Sequence, residues 1–68
     1  VVNATVSGNV FKIVKNPLES VQLDEVVIIL ESMKMEIEIV SPHSGQVKDI
    51  LVKEGDIVQE GDALFSIG

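Results

Sequence analysis

The chain contains no cysteine, no tryptophan and no tyrosine, and its five cations are all lysines. Without cysteine there is neither a disulfide framework nor a thiolate metal site. A single histidine, His43, cannot build a zinc centre, so no metal is expected. The missing arginine matters equally. Eleven acids against five lysines give a net charge of −6. Such a surface is a poor match for phosphate backbones and for anionic membranes. Two phenylalanines are the only aromatics, too few for a base-stacking platform. No apolar run approaches the ~18 residues of a membrane span. Val1-Val2-Asn3 leads with no cationic segment, so no signal peptide is expected. With 68 residues, we expect one domain, 1–68, too small to enclose both a core and a deep catalytic cleft.

Aliphatic β-branched residues are plentiful. Twelve valines and eight isoleucines make up 20 of the 68 residues. Such side chains pack well on pleated sheets and are restricted in helices. Turn signals recur at short spacing: Ser7-Gly8-Asn9, Asn16-Pro17, Leu23-Asp24-Glu25, Ser41 to Gly45, Glu54-Gly55-Asp56 and Glu60-Gly61-Asp62. Runs of about four to eight residues lie between them, an all-β pattern. Strands are expected at Val2–Val6, Val10–Lys15, Val21–Gln22, Val26–Ser32, Met35–Val40, Gln46–Lys53, Ile57–Val58 and Ala63–Ile67. Phe11 and Phe65 are expected in the core.

The sequence repeats itself once. A shift of 37 places Gly8 on Gly45, Val10 on Val47, Ile13 on Ile50, Val21-Gln22 on Val58-Gln59, Val27 on Leu64 and Leu30 on Ile67, without a gap. Two similar halves, each with an apolar face it cannot bury alone, suggest a barrel-like sandwich with a pseudo-twofold axis. Gly8 and Gly45 are expected in matched turns with positive φ. The second half has the turn dipeptides Gly55-Asp56 and Gly61-Asp62, where the first has Leu18-Glu19 and Asp24-Glu25, so looser first-half loops are expected. Glu31–Val40 lies outside the repeat and joins the halves.

Within that joining segment, Glu31-Ser32-Met33-Lys34-Met35-Glu36 breaks local rules. A hairpin has to turn there, yet the segment contains no Gly, Asn, Asp or Pro. A two-residue turn centred on Met33 and Lys34 would put both at positive φ, which is costly. A helix over Glu25–Val40 is the alternative from propensity, but Val26 to Leu30 leaves no polar face and Glu36 to Ile39 alternates with period two. Lys34 reads as an ordinary surface lysine or as a functional one, and two methionines at an exposed tip point to a contact surface.

The segment resembles the attachment motif of biotinyl domains, the biotin carboxyl carrier modules of biotin-dependent carboxylases, whose usual form is Glu-Ala-Met-Lys-Met. Ser32 stands where Ala is commonest. Gly8-Asn9-Val10, Val21-Gln22, Ser44 to Val47 and Glu54 to Leu64 resemble the family framework, so the likeness covers essentially the whole chain. It implies a flattened β-barrel, a barrel-sandwich hybrid of two four-stranded antiparallel sheets. It implies covalent biotin on Lys34, with Glu31, Ser32, Met33, Met35 and Glu36 as the recognition flank. Biotin protein ligase would attach the group. The arm would carry a carboxyl group between biotin carboxylase and carboxyltransferase. A cytoplasmic domain is implied, or a mitochondrial-matrix one in a eukaryote, monomeric when isolated.

Ala4-Thr5-Val6-Ser7-Gly8 departs from the frequent Ala-Pro-Met-x-Gly, and Asn16-Pro17-Leu18-Glu19 from a Gly-Asp turn. The segment from Lys15 to Val21 is too short for the protruding thumb of some acetyl-CoA carboxylase carriers. The likeness is closer to modules of propionyl-CoA carboxylase, pyruvate carboxylase, transcarboxylase or decarboxylase type.

A lysine amine attacks an acyl group only when neutral, and lysine is an ammonium near pH 7. Acylation therefore calls for a partner enzyme to deprotonate and orient it. No nucleophile–base pair, metal-ligand cluster or Gly-rich phosphate loop is present, so no catalytic residue is expected. His43, in a turn, and the acids Asp49, Glu54, Asp56, Glu60 and Asp62 are read as solvated groups. Two other functions stay open. One is a lipoyl carrier on the same architecture, although its tip usually reads Asp-Lys-Ala. The other is an unmodified β-sandwich that binds a partner.

Overall fold

A computed structural model describes residues 1–68 and contains eight strands and no helix. They are β1 (Val2–Asn3), β2 (Gly8–Ile13), β3 (Ser20–Val21), β4 (Val26–Ser32), β5 (Met35–Val40), β6 (Gly45–Ile50), β7 (Ile57–Val58) and β8 (Ala63–Ile67). Two four-stranded antiparallel sheets form, in the orders β1-β8-β6-β3 and β5-β4-β2-β7. Their inner faces close on Ala4, Val10, Val21, Val27, Ile28, Leu30, Ile39, Val47, Val58, Leu64 and Phe65. Val10/Val47, Val21/Val58 and Val27/Leu64 are pairs related by the 37-residue repeat, so each half supplies the same wall of the core.

The repeat extends to the backbone bonds that close the turns. Leu18 N–H donates to Val47 O and Gly55 N–H to Val10 O; Asp24 N–H donates to Ser41 O and Gly61 N–H to Ala4 O. Each half thus hangs its turns on the other half's strands. Four turns share one design: Asn16–Glu19, Gln22–Glu25, Lys53–Asp56 and Gln59–Asp62. In each, the fourth residue's N–H donates to the first residue's carbonyl, and its carboxylate accepts the first residue's N–H at 2.9–3.0 Å. The third residue has positive φ, the type II pattern: Leu18 (75°), Asp24 (68°), Gly55 (94°) and Gly61 (95°). Left-handed backbone costs a side-chain-bearing residue about 1–2 kcal/mol, a cost the first half bears and the second avoids. The first-half turns are nevertheless closed by the same bonds as their partners, contrary to the expectation of looser loops. Asp56 and Asp62 cap backbone, and Glu54 accepts the N–H of Ile13 at 3.0 Å, so these three are structural rather than merely solvated.

Further expectations need correction. Gly8 and Gly45 lie in strands, and neither has positive φ. They are needed because the backbone of the neighbouring chain segment in the same sheet comes too close for a side chain. A Cβ on Gly45 would stand 2.7 Å from Gly68 O and 3.0 Å from Ile67 Cγ2, and one on Gly8 would collide with Glu31 O. Phe11 is 48% exposed, whereas Phe65 is fully buried. Val10 pairs with Leu30 and Lys12 with Ile29, which leaves Phe11 as the extra residue of a β-bulge, turned away from the core. Finally, four strands differ from their expected bounds: β1 ends at Asn3, β2 and β6 start at their glycines and end at Ile13 and Ile50, and β3 is shifted to Ser20–Val21.

The chain's ion pairs lie in the first-half loop. Lys15 Nζ is 2.7 Å from Glu25 Oε2 and 4.0 Å from Glu19 Oε2. The hydrogen bond to Glu25 raises the Lys15 ammonium above its ordinary value, and the same bond, helped by the Gln22 N–H, lowers the Glu25 carboxyl. A lowered carboxyl contributes stability above its unfolded pKa and loses it as pH falls through the folded one. A raised ammonium contributes below its unfolded pKa and loses it as pH rises through the folded one. The pair therefore helps between the acid range and the alkaline limit of lysine.

Glu25→Gln keeps an acceptor for Gln22 N–H and removes the charge. Its unfolding midpoint should fall below that of the unchanged protein at pH 7 and converge with it as Glu25 becomes protonated in acid. A gap that persists undiminished in strong acid would show that charge is not the cause. Gly8→Ala and Gly45→Val should each cost about 1–3 kcal/mol through overpacking, and an unchanged denaturant midpoint in either would remove the close-approach explanation.

Candidate functional site

Strands β4 and β5 form a hairpin registered over six pairs, ending Leu30↔Ile37, Glu31↔Glu36 and Ser32↔Met35. Met33 and Lys34 are its two turn residues, with φ of 53° and 65°. Positive φ at both centres is the type I′ signature, the turn whose twist suits a two-residue hairpin. It normally takes Asn-Gly. Here a methionine and a lysine occupy it, at about 1–2 kcal/mol each.

Alternation along the strands sorts the neighbours. Leu30 is fully buried and Ile37 packs against the core. Ser32 and Met35 continue that inward-facing row one pair beyond the buried layer, so Met35 emerges 63% exposed. Met33, at the turn, is 92% exposed, and Lys34 is exposed beside it. Both methionines of the chain are thus thioethers in solvent on either side of one amine. Glu31, Glu36 and Glu38 fall on the outer face. Glu31 sits between Asn9 and Glu36 across the sheet, and like charges set directly opposite are mildly destabilising. Lys34 forms no ion pair, since both in the chain involve Lys15.

The structure brings all six segment residues to one tip. Glu31 and Ser32 are half-buried at its base, and Met33, Lys34, Met35 and Glu36 are exposed. It adds one residue absent from the sequence-based set. Gly8 lies against Glu31 and Ser32 and lets β2 press on the base of the hairpin. The match of Gly8 to Gly45 in the repeat is the available signal, and it points to a close backbone approach, not to a turn. His43 stands apart, exposed in the β5–β6 connection with Nδ1 3.1 Å from Ser44 O. No cavity opens anywhere on the domain, so whatever the tip does, it does in the open.

The sequence profile of the biotin/lipoyl family, described as "Biotin-requiring enzyme", matches residues 1–67. The chain belongs to this family. The biotin/lipoyl attachment protein of Bacillus subtilis (strain 168) is 44% identical over 66 residues, covering 97% of this chain and 90% of that protein. Among solved structures, the urea carboxylase of Kluyveromyces lactis superposes on all of this chain with a TM-score of 0.95 at 34% identity. The chain spans only 6% of that carboxylase. The lipoyl domain of the 2-oxoglutarate dehydrogenase complex of Azotobacter vinelandii also covers the whole chain, with a TM-score of 0.80 and 25% identity, over 96% of its own length. A biotin/lipoyl attachment domain is a carrier and not itself a catalyst.

The strain at the tip of the attachment domain is measurable. Replacing its turn by the preferred dipeptide, Met33→Asn with Lys34→Gly, should raise stability by about 1 kcal/mol. A denaturant midpoint at or below the original would show that the left-handed pair carries no cost.

Proposed function

We propose that Lys34 is the attachment lysine and that the group it carries is biotin. The observation behind this reading is the tip itself: a strained turn projects Lys34 into solvent between two exposed methionines, on a hairpin clamped by Gly8. The fit to biotin is chemical. A primary amine clear of any cleft can form an amide with the biotin side-chain carboxyl. When bound, biotin supplies the carboxyl-carrying chemistry, and the protein supplies position. Acylation removes one positive charge from a chain already at −6.

On this reading Glu31, Ser32, Met33, Met35 and Glu36 form the surface that partner enzymes meet. Met33 and Met35 offer adaptable apolar contact, and Glu31 and Glu36 offer charge. The partners are a biotin protein ligase, then a biotin carboxylase and a carboxyltransferase. The superposition on urea carboxylase supports the carboxylase setting. A second reading, lipoyl in place of biotin, is favoured by the lipoyl-domain superposition and by a relative named for both groups. The methionines on both sides of Lys34, where lipoyl tips usually show Asp and Ala, incline the choice to biotin.

Intact mass after incubation with a biotin protein ligase, ATP and biotin tests the reading, beside a parallel reaction with a lipoate ligase and lipoate. One biotin on Lys34 is expected, with Lys34→Arg unmodified and as stable as the parent. Label on Lys12, Lys15, Lys48 or Lys53 would overturn the assignment. A lipoyl adduct without a biotin one would exchange the first reading for the second.

A further inference from the structure

We infer that Met33 and Met35 form an oxidation site that gates acylation of the lysine between them. This rests on the attachment reading of Lys34 and adds a regulatory modification to it. The chain has no cysteine and two methionines. Every sulfur in the domain therefore flanks Lys34, and both stand in solvent, 92% and 63% exposed. Neither belongs to the core or packs against it. An oxidant meets no thiol that would react first, and the sulfurs it reaches hold nothing of the fold together.

The step is an oxygen transfer. A thioether lone pair attacks the outer oxygen of a hydroperoxide, an S–O bond forms as the O–O bond breaks, and the proton on the transferred oxygen passes to the departing one, which leaves as water or an alcohol. The sulfur loses two electrons and the peroxide gains them. The product is a sulfoxide, polar and chiral where the thioether was apolar and pliable. Two such groups would rim the amine. A partner surface that docks on the methionines would have to desolvate both. Methionine sulfoxide reductases, one for each epimer, reverse the change. Exposure sets the order: Met33 at the crest precedes Met35, whose side chain leaves the inward-facing row.

The test treats the folded domain with hydrogen peroxide and reads three things. Peptide mapping should find the first added oxygen on Met33 and the second on Met35, and the thermal unfolding midpoint should stay in place. Biotin transfer by the ligase should slow by about tenfold, in line with loss of one apolar thioether contact, and recover after both reductases act. In the variant Met33→Leu with Met35→Leu, the ligation rate, whatever its starting value, should be the same before and after peroxide. Equal rates for reduced and oxidised parent protein would overturn the gate while leaving the attachment reading intact. A reduced protein that accepts neither biotin nor lipoate would overturn the attachment reading and the gate with it. Unfolding on oxidation would overturn the claim that the modification acts at the tip.

Discussion

Two consecutive side chains in left-handed backbone have to be held there by something other than their own preference. In this domain the holding is done by the β4–β5 ladder and by what lies beneath it. Leu30, Ile28 and Ile39 anchor the hairpin in the core, and Ser32↔Met35 closes the ladder immediately below the turn. Strand β2 pairs along the other edge of β4, and at Gly8 it has no side chain to push the hairpin away. The strain at Met33 and Lys34 and the facing carboxylates of Glu31 and Glu36 act against the tip, while burial acts for it. That balance fixes where Lys34 points without enclosing it.

The same economy runs through the rest of the fold. A domain of this size buries little, and here only twelve residues are buried. Its turns are therefore made from backbone and carboxylates in place of core. Glu19, Glu25, Asp56 and Asp62 each cap the residue three before them. The half with glycines at the left-handed positions needs no further help. The half with Leu18 and Asp24 there has Pro17, whose fixed φ suits the position before a left-handed residue, and the Lys15–Glu25 ion pair across its loop. The pseudo-twofold is thus a symmetry of bonds more than of residues.

This explains what could be read in the sequence. Strands β4, β5, β7 and β8 are legible to the residue: Gly-Asp turns and the final glycine bound β7 and β8, while β4 and β5 are bounded outwardly by Asp24-Glu25 and Ser41-Pro42 and separated by the period-two run that starts at Met35. The strands that begin at Gly8 and Gly45 are not, because glycine reads as a turn when no neighbour is known. What requires glycine there is the close approach of the neighbouring backbone from 23 residues further along the chain in each half. Phe11 misleads for a related reason. An aromatic beside Val10 belongs in a core by composition, but a bulge adds one residue to β2 and turns it outward. The tip is legible through its violation of local rules, since a hairpin with no turn former has to place ordinary residues at positive φ. Its support by Gly8 is invisible without the pairing of β2 with β4.

Backbone alone does not distinguish the two groups this family carries. One path superposes on a carboxylase at 0.95 and on a lipoyl domain at 0.80, over the whole chain both times. On the reading proposed here, discrimination by the attaching enzymes comes from side chains at the tip, and the candidates are few. Ser32 is small and half-buried, and Glu31 is held in the sheet between Asn9 and Glu36. Met33, Met35 and Glu36 are the exposed side chains beside Lys34, and of these only the methionines are apolar. A protein that meets the amine from above meets them first. On the reading proposed here, those two thioethers are where identity is read, and the lysine is where the group is attached.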